Sequence, residues 1–174
     1  VQTLDALAYP DGNPGFYFIS LAYSPAAKAM FEAELAERLI PRVEKINLFG
    51  QIVEVTYPML DIGEVADAFD GNRATLIRTF EANPLNLTLK FPEGAEMRSV
   101  AVWLGNARSS VKVELIDSQG MRRQFSAYDP GTEAIHPVLV DFGETLHISS
   151  LNLSVETLDE ATPTHVHLWD VEFR

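Results

Sequence analysis

Leu85-Asn-Leu-Thr-Leu-Lys-Phe91, Val100-Ala-Val-Trp-Leu104 and Val111-Lys-Val-Glu-Leu115 place apolar residues at every second position. A period of two puts them on one face of an extended chain, because successive side chains of a strand point to opposite sides. The alternation continues in both directions, through Ile52-Val-Glu-Val-Thr-Tyr57 before these runs and through Gln124 to Tyr128, Val138-Leu-Val-Asp-Phe142, His147 to Glu156 and Val166 to Phe173 after them. Gly105-Asn106, Ser118-Gln-Gly120 and Asp129-Pro-Gly131 fall where strands must be joined. Eight short strands of this kind predict an all-β fold, an antiparallel jelly-roll-like sandwich. No helical pattern interrupts them, which argues against parallel βαβ construction.

Upstream of Val43 the pattern differs. Tyr9-Pro-Asp-Gly-Asn-Pro-Gly15 is turn-rich and separates two apolar runs, predicting a strand, a loop and a second strand over Phe16 to Ala22. Ser24-Pro25 is a helix start signal and Pro41 a stop, so a helix is predicted over Pro25 to Ile40. Ala27, Phe31, Leu35 and Leu39 recur at intervals of four, giving one apolar stripe. Its polar side is mixed and rather acidic, unlike the Lys/Arg-rich side of a helix that lies on a membrane. The helix is expected to pack on its own domain. Residues 1–62 thus read as an N-terminal extension packed on a sandwich of residues 63–174. Trp103 has the opposite parity to Val102 and Leu104, so it points outward with Ala101, where the extension is expected to cover it.

Composition narrows the function classes. The chain has 174 residues and a formal net charge of -12, which repels nucleic acid and anionic lipid. A cation or a neutral ligand is the easier partner. There is no cysteine, hence no disulfide framework and no thiol nucleophile. No apolar run reaches the roughly 20 residues that span a bilayer. A chain that opens at Val1 reads as part of a longer protein. No Gly-x-Ser-x-Gly elbow or Gly-rich phosphate loop occurs, and carboxylate pairs such as Glu32 with Glu34 or Asp159 with Glu160 lack apolar neighbours to split their acidities. The domain is therefore read as noncatalytic. His165-x-His167 with Glu172 has the spacing of a metal-binding strand, but a solvent-facing histidine pair opposite Val166 and Leu168 is the simpler account. Asn86-Leu-Thr88 and Asn152-Leu-Ser154 fit the glycosylation sequon and read as ordinary strand residues.

The segment Ala68-Phe-Asp-Gly-Asn-Arg-Ala-Thr75-Leu-Ile-Arg-Thr79 resembles the opening signature of the galactose-binding, discoidin or coagulation-factor C-type family, in which an Ala-x-Asp-Gly-x-x-x-Thr turn precedes an aromatic residue. Ile77 stands where that family has Trp. Ser99 to Leu104 and Val111 to Asp117 are similar to the family's central strands and Val166 to Phe173 to its closing strand. The chain with Tyr57-Pro-Met-Leu60 and Arg78-Thr-Phe-Glu-Ala-Asn-Pro84 also resembles the extramembrane tail of some bacterial membrane glycosyltransferases. That likeness implies an extracytoplasmic location, a parent membrane enzyme and a glycan or lipid-linked sugar nearby.

Two expectations about sites follow. Asp70, Asn72 and Thr75 form a tight turn whose oxygens, with main-chain carbonyls, are hard ligands of the kind that suit calcium. The resemblance implies a structural calcium ion held there together with an acid of the closing strand, which is Asp170 here. Val166 and Leu168 differ in parity from Val171 and Phe173, so an extra residue must be absorbed near Trp169-Asp170, as a β-bulge would do. A sugar site would use loops at one end of the sandwich, with Arg78, Asn106, Arg108 and Tyr128 as candidates. The reading is a noncatalytic, carbohydrate-binding accessory module. The alternative is a structural or protein-interaction domain that has lost the sugar site.

Overall fold

The computed structural model describes residues 25–38, 40–80, 82–132, 134–158 and 165–174. The strands expected within Val1 to Tyr23 and the pair Asp159 and Glu160 lie outside them. The chain divides into two compact units, residues 1–37 and 38–174. Helix α1 runs from Pro25 to Arg38, two residues short of the expected end, and its last residue falls in the second unit. No helix among the described residues is long and apolar enough to cross a membrane.

The second unit is an antiparallel β structure. Its strands are β1 (Arg42–Leu48), β2 (Gln51–Tyr57), β3 (Leu60–Ile62), β4 (Ile77–Thr79), β5 (Leu85–Leu104), β6 (Ser109–Asp117), β7 (Arg122–Asp129), β8 (His136–Thr157), β9 (His167–Leu168) and β10 (Asp170–Phe173). Among the described residues the large sheet has the order β1-β2-β5-β8-β6-β7 with β10 also on β5, and β3-β4-β9 form a smaller one. The boundary expected at residue 62 therefore moves. β1 and β2 belong to the sandwich, because β2 pairs with β5 through Glu54, Val55 and Thr56 and buries Val53 and Val55 in the common core. Tyr57 extends that seam by donating its hydroxyl to the Glu44 carboxylate; burial, then Glu44, pushes the phenol up to about 12.

Four of the expected short strands prove to be halves of two long ones. β5 joins Leu85 to Phe91 with Val100 to Leu104, and β8 joins Val138 to Phe142 with His147 to Glu156. Their register slips between Lys90 and Ala95 and between Met97 and Ser99, as β-bulges require. Gly94, at φ 71°, supplies the bend, and the His147 ring lies where a Cβ at Gly94 would stand. The first half of β5 pairs with β2 and with Ser150 to Val155 of β8, and the second half with β10 and with His136 to Leu146.

Alternation fixes what each strand buries. Leu87, Leu153 and Val113 lie side by side across β5, β8 and β6 and are fully buried. The closing segment resolves its parity by changing sheets. β9 pairs with β4, Trp169 steps across while its N–H bonds to the Trp103 carbonyl, and β10 pairs with β5. Val166, Leu168 and Val171 all reach the core. A sheet switch, rather than a bulge within one strand, absorbs the extra residue.

Leu153→Ala should cost about 2–5 kcal/mol, since a fully buried leucine at the centre of three strands leaves a cavity the sheet cannot close. Urea denaturation of the purified protein checks this.

Candidate functional site

Two constellations lie outside the core. The first is built over β10 and the second half of β5. Asp170 and Glu172 stand opposite Trp103 and Ala101 in the antiparallel register, so all four share the face away from the core. The Asp-Gly turn covers that face. It follows a 3-10 helix over Val65–Phe69, and Gly71 takes φ 71°, a conformation open to glycine without strain. Asp70 accepts the N–H of Asn72 at 2.7 Å, Asn72 Oδ1 accepts the N–H of Ala74 at 3.1 Å, and Thr75 Oγ1 donates to Asn72 O at 2.7 Å while lying 3.2 Å from Asp70 Oδ2. The Asp70 carboxylate, the Thr75 hydroxyl and the Asn72 main-chain oxygen lie side by side in this turn.

Arg73, from within the same turn, lies over Trp103. Its guanidinium lies 3.5 Å over the Trp103 ring, pairs with Glu172, and comes within 3.8 Å of Asp170 Oδ2. The indole N–H donates to Glu172 at 3.1 Å. Asp170 is 1% exposed; its Oδ1 accepts the Val171 N–H at 3.0 Å, whereas Oδ2 has no hydrogen-bond partner. Burial raises the Asp170 carboxyl above the ordinary range, and the Val171 N–H, Arg73 and the Gly71 N–H offset this only in part. An orphaned, buried carboxylate oxygen beside a cluster of hard oxygens fits a cation such as calcium. Among the described residues no three His, Asp or Glu side chains gather into a metal cluster, so main-chain and hydroxyl oxygens would have to complete any shell.

The second constellation lies on the outer face of β3-β4-β9 and at the adjoining loops. Arg78 of β4 stands opposite His167 of β9 and is held by a two-point ion pair with Asp61 at 2.9 and 2.6 Å. His165 Nδ1–H donates to Thr79 O at 2.8 Å. Burial, then the Arg78 and His165 charges, depress the His167 imidazole below its ordinary value. The histidines do face away from Val166 and Leu168. The Trp169 ring lies 6.1 Å from that of His167 and rests on Gly105, where an added Cβ would stand 2.9 Å from the indole. Asn106, next in the chain, is exposed, and Gly131 brings the following β7–β8 loop against it.

Of the four residues expected to bind sugar, Arg78 stands opposite His167, whose ring neighbours Trp169, and Asn106 follows Gly105, on which Trp169 rests. Arg108 is exposed at the same end, its carbonyl accepting the Leu158 N–H at 2.8 Å. Tyr128 does not join them. It has the parity of Gln124 and Ser126 and faces outward from the large sheet, while Phe125 and Ala127 turn toward the core. Trp169, His167, Asp61 and Arg73 are contributors that the sequence reading missed. The parity break at Trp169 and the position of Arg73 inside the Asp-Gly motif were the available signals.

No protein-family model and no curated protein sequence matches the chain. Solved structures do. A CBM32 module of AlyQ, solved with 4,5-unsaturated mannuronic acid, is 15% identical at a TM-score of 0.51 and covers 75% of this chain and 98% of its own. A CBM32 module from Clostridium perfringens, solved with GlcNAc-α-1,4-galactose, is 15% identical at a TM-score of 0.50 over 68% of this chain and 87% of its own. A GH29 fucosidase from Ruminococcus gnavus, solved with fucose, is 13% identical at 0.54 over 70% of this chain; the match spans about a quarter, 24%, of the fucosidase. The protein has the galactose-binding-like β-sandwich fold of carbohydrate-binding modules, as the Asp-Gly signature implied.

Arg73→Ala should destabilise the protein by about 1–3 kcal/mol through loss of the cation–π contact and the ion pairs. A fold-raised Asp170 contributes stability that is full below the ordinary Asp range and lost as pH rises through its folded value. Without Arg73 that value rises further, so the deficit should be larger at pH 7 than in acid. Denaturation series at several pH values, with tryptophan emission shifting red, check this.

Proposed function

We propose that the protein is a noncatalytic carbohydrate-binding module whose sugar site is the loop end formed by Trp169, His167, Arg78 and Asn106. The observation that carries this is the placement of the Trp169 ring on Gly105, beside an exposed amide and an arginine already oriented by Asp61. A sugar ring offers an apolar C–H face to an aromatic ring and hydroxyls to directional polar groups, and this end of the sandwich supplies both. Fixing Arg78 on Asp61 before binding lowers the ordering cost of its remaining N–H donors. The neutral imidazole favoured at His167 can both donate to and accept from a hydroxyl. The fold shared with modules solved with bound sugars supports the same reading.

Calcium belongs to this proposal as a structural ion. Asp70, Thr75, Asp170 and the Asn72 carbonyl would hold it, pinning the Asp-Gly turn to the closing strand. Its chemistry there is charge neutralisation of the buried Asp170 carboxylate, with no part in a reaction. The proposal also places the module outside the cytoplasm, joined to a parent membrane enzyme of the glycosyltransferase kind. A run of membrane-spanning helices in the residues preceding Val1 is the expected finding in the gene.

A glycan array followed by calorimetry tests the sugar site. Asn106→Ala and Trp169→Ala should each weaken binding at least tenfold, with Asn106→Ala leaving the melting temperature unchanged. Absence of binding at millimolar glycan would favour the structural-domain alternative. Affinity should hold through neutral pH and decline as pH falls through the depressed His167 value.

Chelator should lower the melting temperature of the calcium-loaded protein, since a ligand of the folded state alone stabilises it by mass action. Asp170→Asn should abolish that response while being at least as stable as the parent without metal, because burial disfavours the charged carboxylate.

A further inference from the structure

The outer face of the large sheet carries a groove that the loop-end site does not use. It has a volume of about 430 Å³ and lies over β8, β6 and β7. Its shape follows from the register. Ser150 and Asn152, both short, occupy the central strand; Ile116 and Glu114 stand opposite them on β6, and Arg122 and Gln124 opposite those on β7. Short side chains make a floor and long ones a wall, on a face where alternate residues project together.

One charged residue of the lining, Arg123, is engaged by Glu144 and Asp117. Among the described residues Glu114, Arg122 and Gln124 make no side-chain hydrogen bond or ion pair. They present an acceptor, a planar set of donors and an amide that does both. Ile116 adds an apolar patch within the groove.

Tyr128 extends this surface. It is 62% exposed and lies on the same face of β7, six residues along the strand from Arg122. At about 3.3 Å per residue the two are roughly 20 Å apart. Ser126 between them is small and exposed, and Lys112 stands opposite it on β6. An exposed aromatic side chain beyond the groove on the same strand face is a platform for a ring with an apolar face.

We propose that this face is a second binding surface, separate from the loop end, that takes a linear oligosaccharide lying along β7 from Arg122 to Tyr128. The mixture of free donors, free acceptors, an apolar patch and one exposed aromatic suits a chain of polyhydroxylated rings. A nucleic acid is disfavoured by the net charge of -12. The surface does not rest on the loop-end reading and stands or falls apart from it.

Calorimetry and amide chemical-shift mapping with linear hexasaccharides of β-1,4-linked glucose, mannose, galactose, xylose and mannuronic acid test the proposal on the full chain. At least one hexasaccharide should shift the amides of β6 and β7. Tyr128→Ala should weaken it at least tenfold, and Ser150→Trp, which fills the floor, should do the same. Tyr128→Ala is a surface change that leaves the far-ultraviolet spectrum intact, so it decides the matter if Ser150→Trp does not fold. Trp169→Ala should leave this binding unchanged. Shifts confined to residues 105–108 and 165–169, lost only in Trp169→Ala, would overturn the second surface and leave the loop-end site standing. Binding lost only in the Tyr128 and Ser150 variants would sustain it. No binding of any hexasaccharide at millimolar concentration would also overturn it.

Discussion

β5 and β8 hydrogen-bond to each other from Leu85 with Val155 to Leu104 with His136, and both must bend together to do so. The rest of the sandwich depends on this shared bend. A straight pair of that length would extend about 65 Å and could not fold its two ends over one core. With Gly94 turned to φ 71° and the register slipping beside it, the two halves of each strand take different neighbours. The first half of β5 collects β2, the second half of β8 collects β6, and the second half of β5 collects β10. The loops that follow β5 and precede β8 then emerge at one end, where Asn106 meets the turn around Gly131.

The closing strand completes the arrangement by serving two sheets in succession. Trp169 is the step between them, and because it belongs to neither ladder its ring is free to lie across Gly105. β10 then carries Asp170 and Glu172 to the face away from the core, where the Asp-Gly turn comes down on them. Arg73 makes that closure in chemical terms: it covers Trp103, neutralises Glu172 and stands near Asp170 without bonding Oδ2. A structural role and a cation-binding role are therefore compatible in the same turn, the one using Arg73 and the other the oxygens beside it.

Three surfaces of one sandwich thus differ in character. The loop end has an aromatic ring and oriented polar groups, the Asp-Gly face has a buried unsatisfied carboxylate, and the large sheet has an open groove with unpaired polar side chains. They share a scaffold whose core is apolar and continuous, and such a scaffold leaves its surfaces free to vary. The floor of the groove, on β8 and β6, is held by ladders on both sides, while β7 is the edge strand of the sheet.

The alternation in Leu85 to Phe91, Val100 to Leu104 and Val111 to Leu115 by itself determined an antiparallel β-sandwich, because period two follows from backbone geometry and needs no partner to be read. The Asp-Gly turn with Thr75 was equally legible, since its hydrogen bonds span only a few residues. Pairing was not. Whether Leu85 to Phe91 and Val100 to Leu104 were two strands or one, and whether Arg42 to Tyr57 belonged to the extension or the sheet, depended on hydrogen bonds to residues far along the chain. The same holds for the sites. Asp61 reaches Arg78 across 17 positions and Arg73 reaches Glu172 across 99, while the parity that turned Tyr128 away from Asn106 acquired meaning only once β7 had a sheet to lie on. Local periodicity records which face of a strand is apolar; only tertiary structure decides what stands opposite that face, and the candidate sites are made of such oppositions.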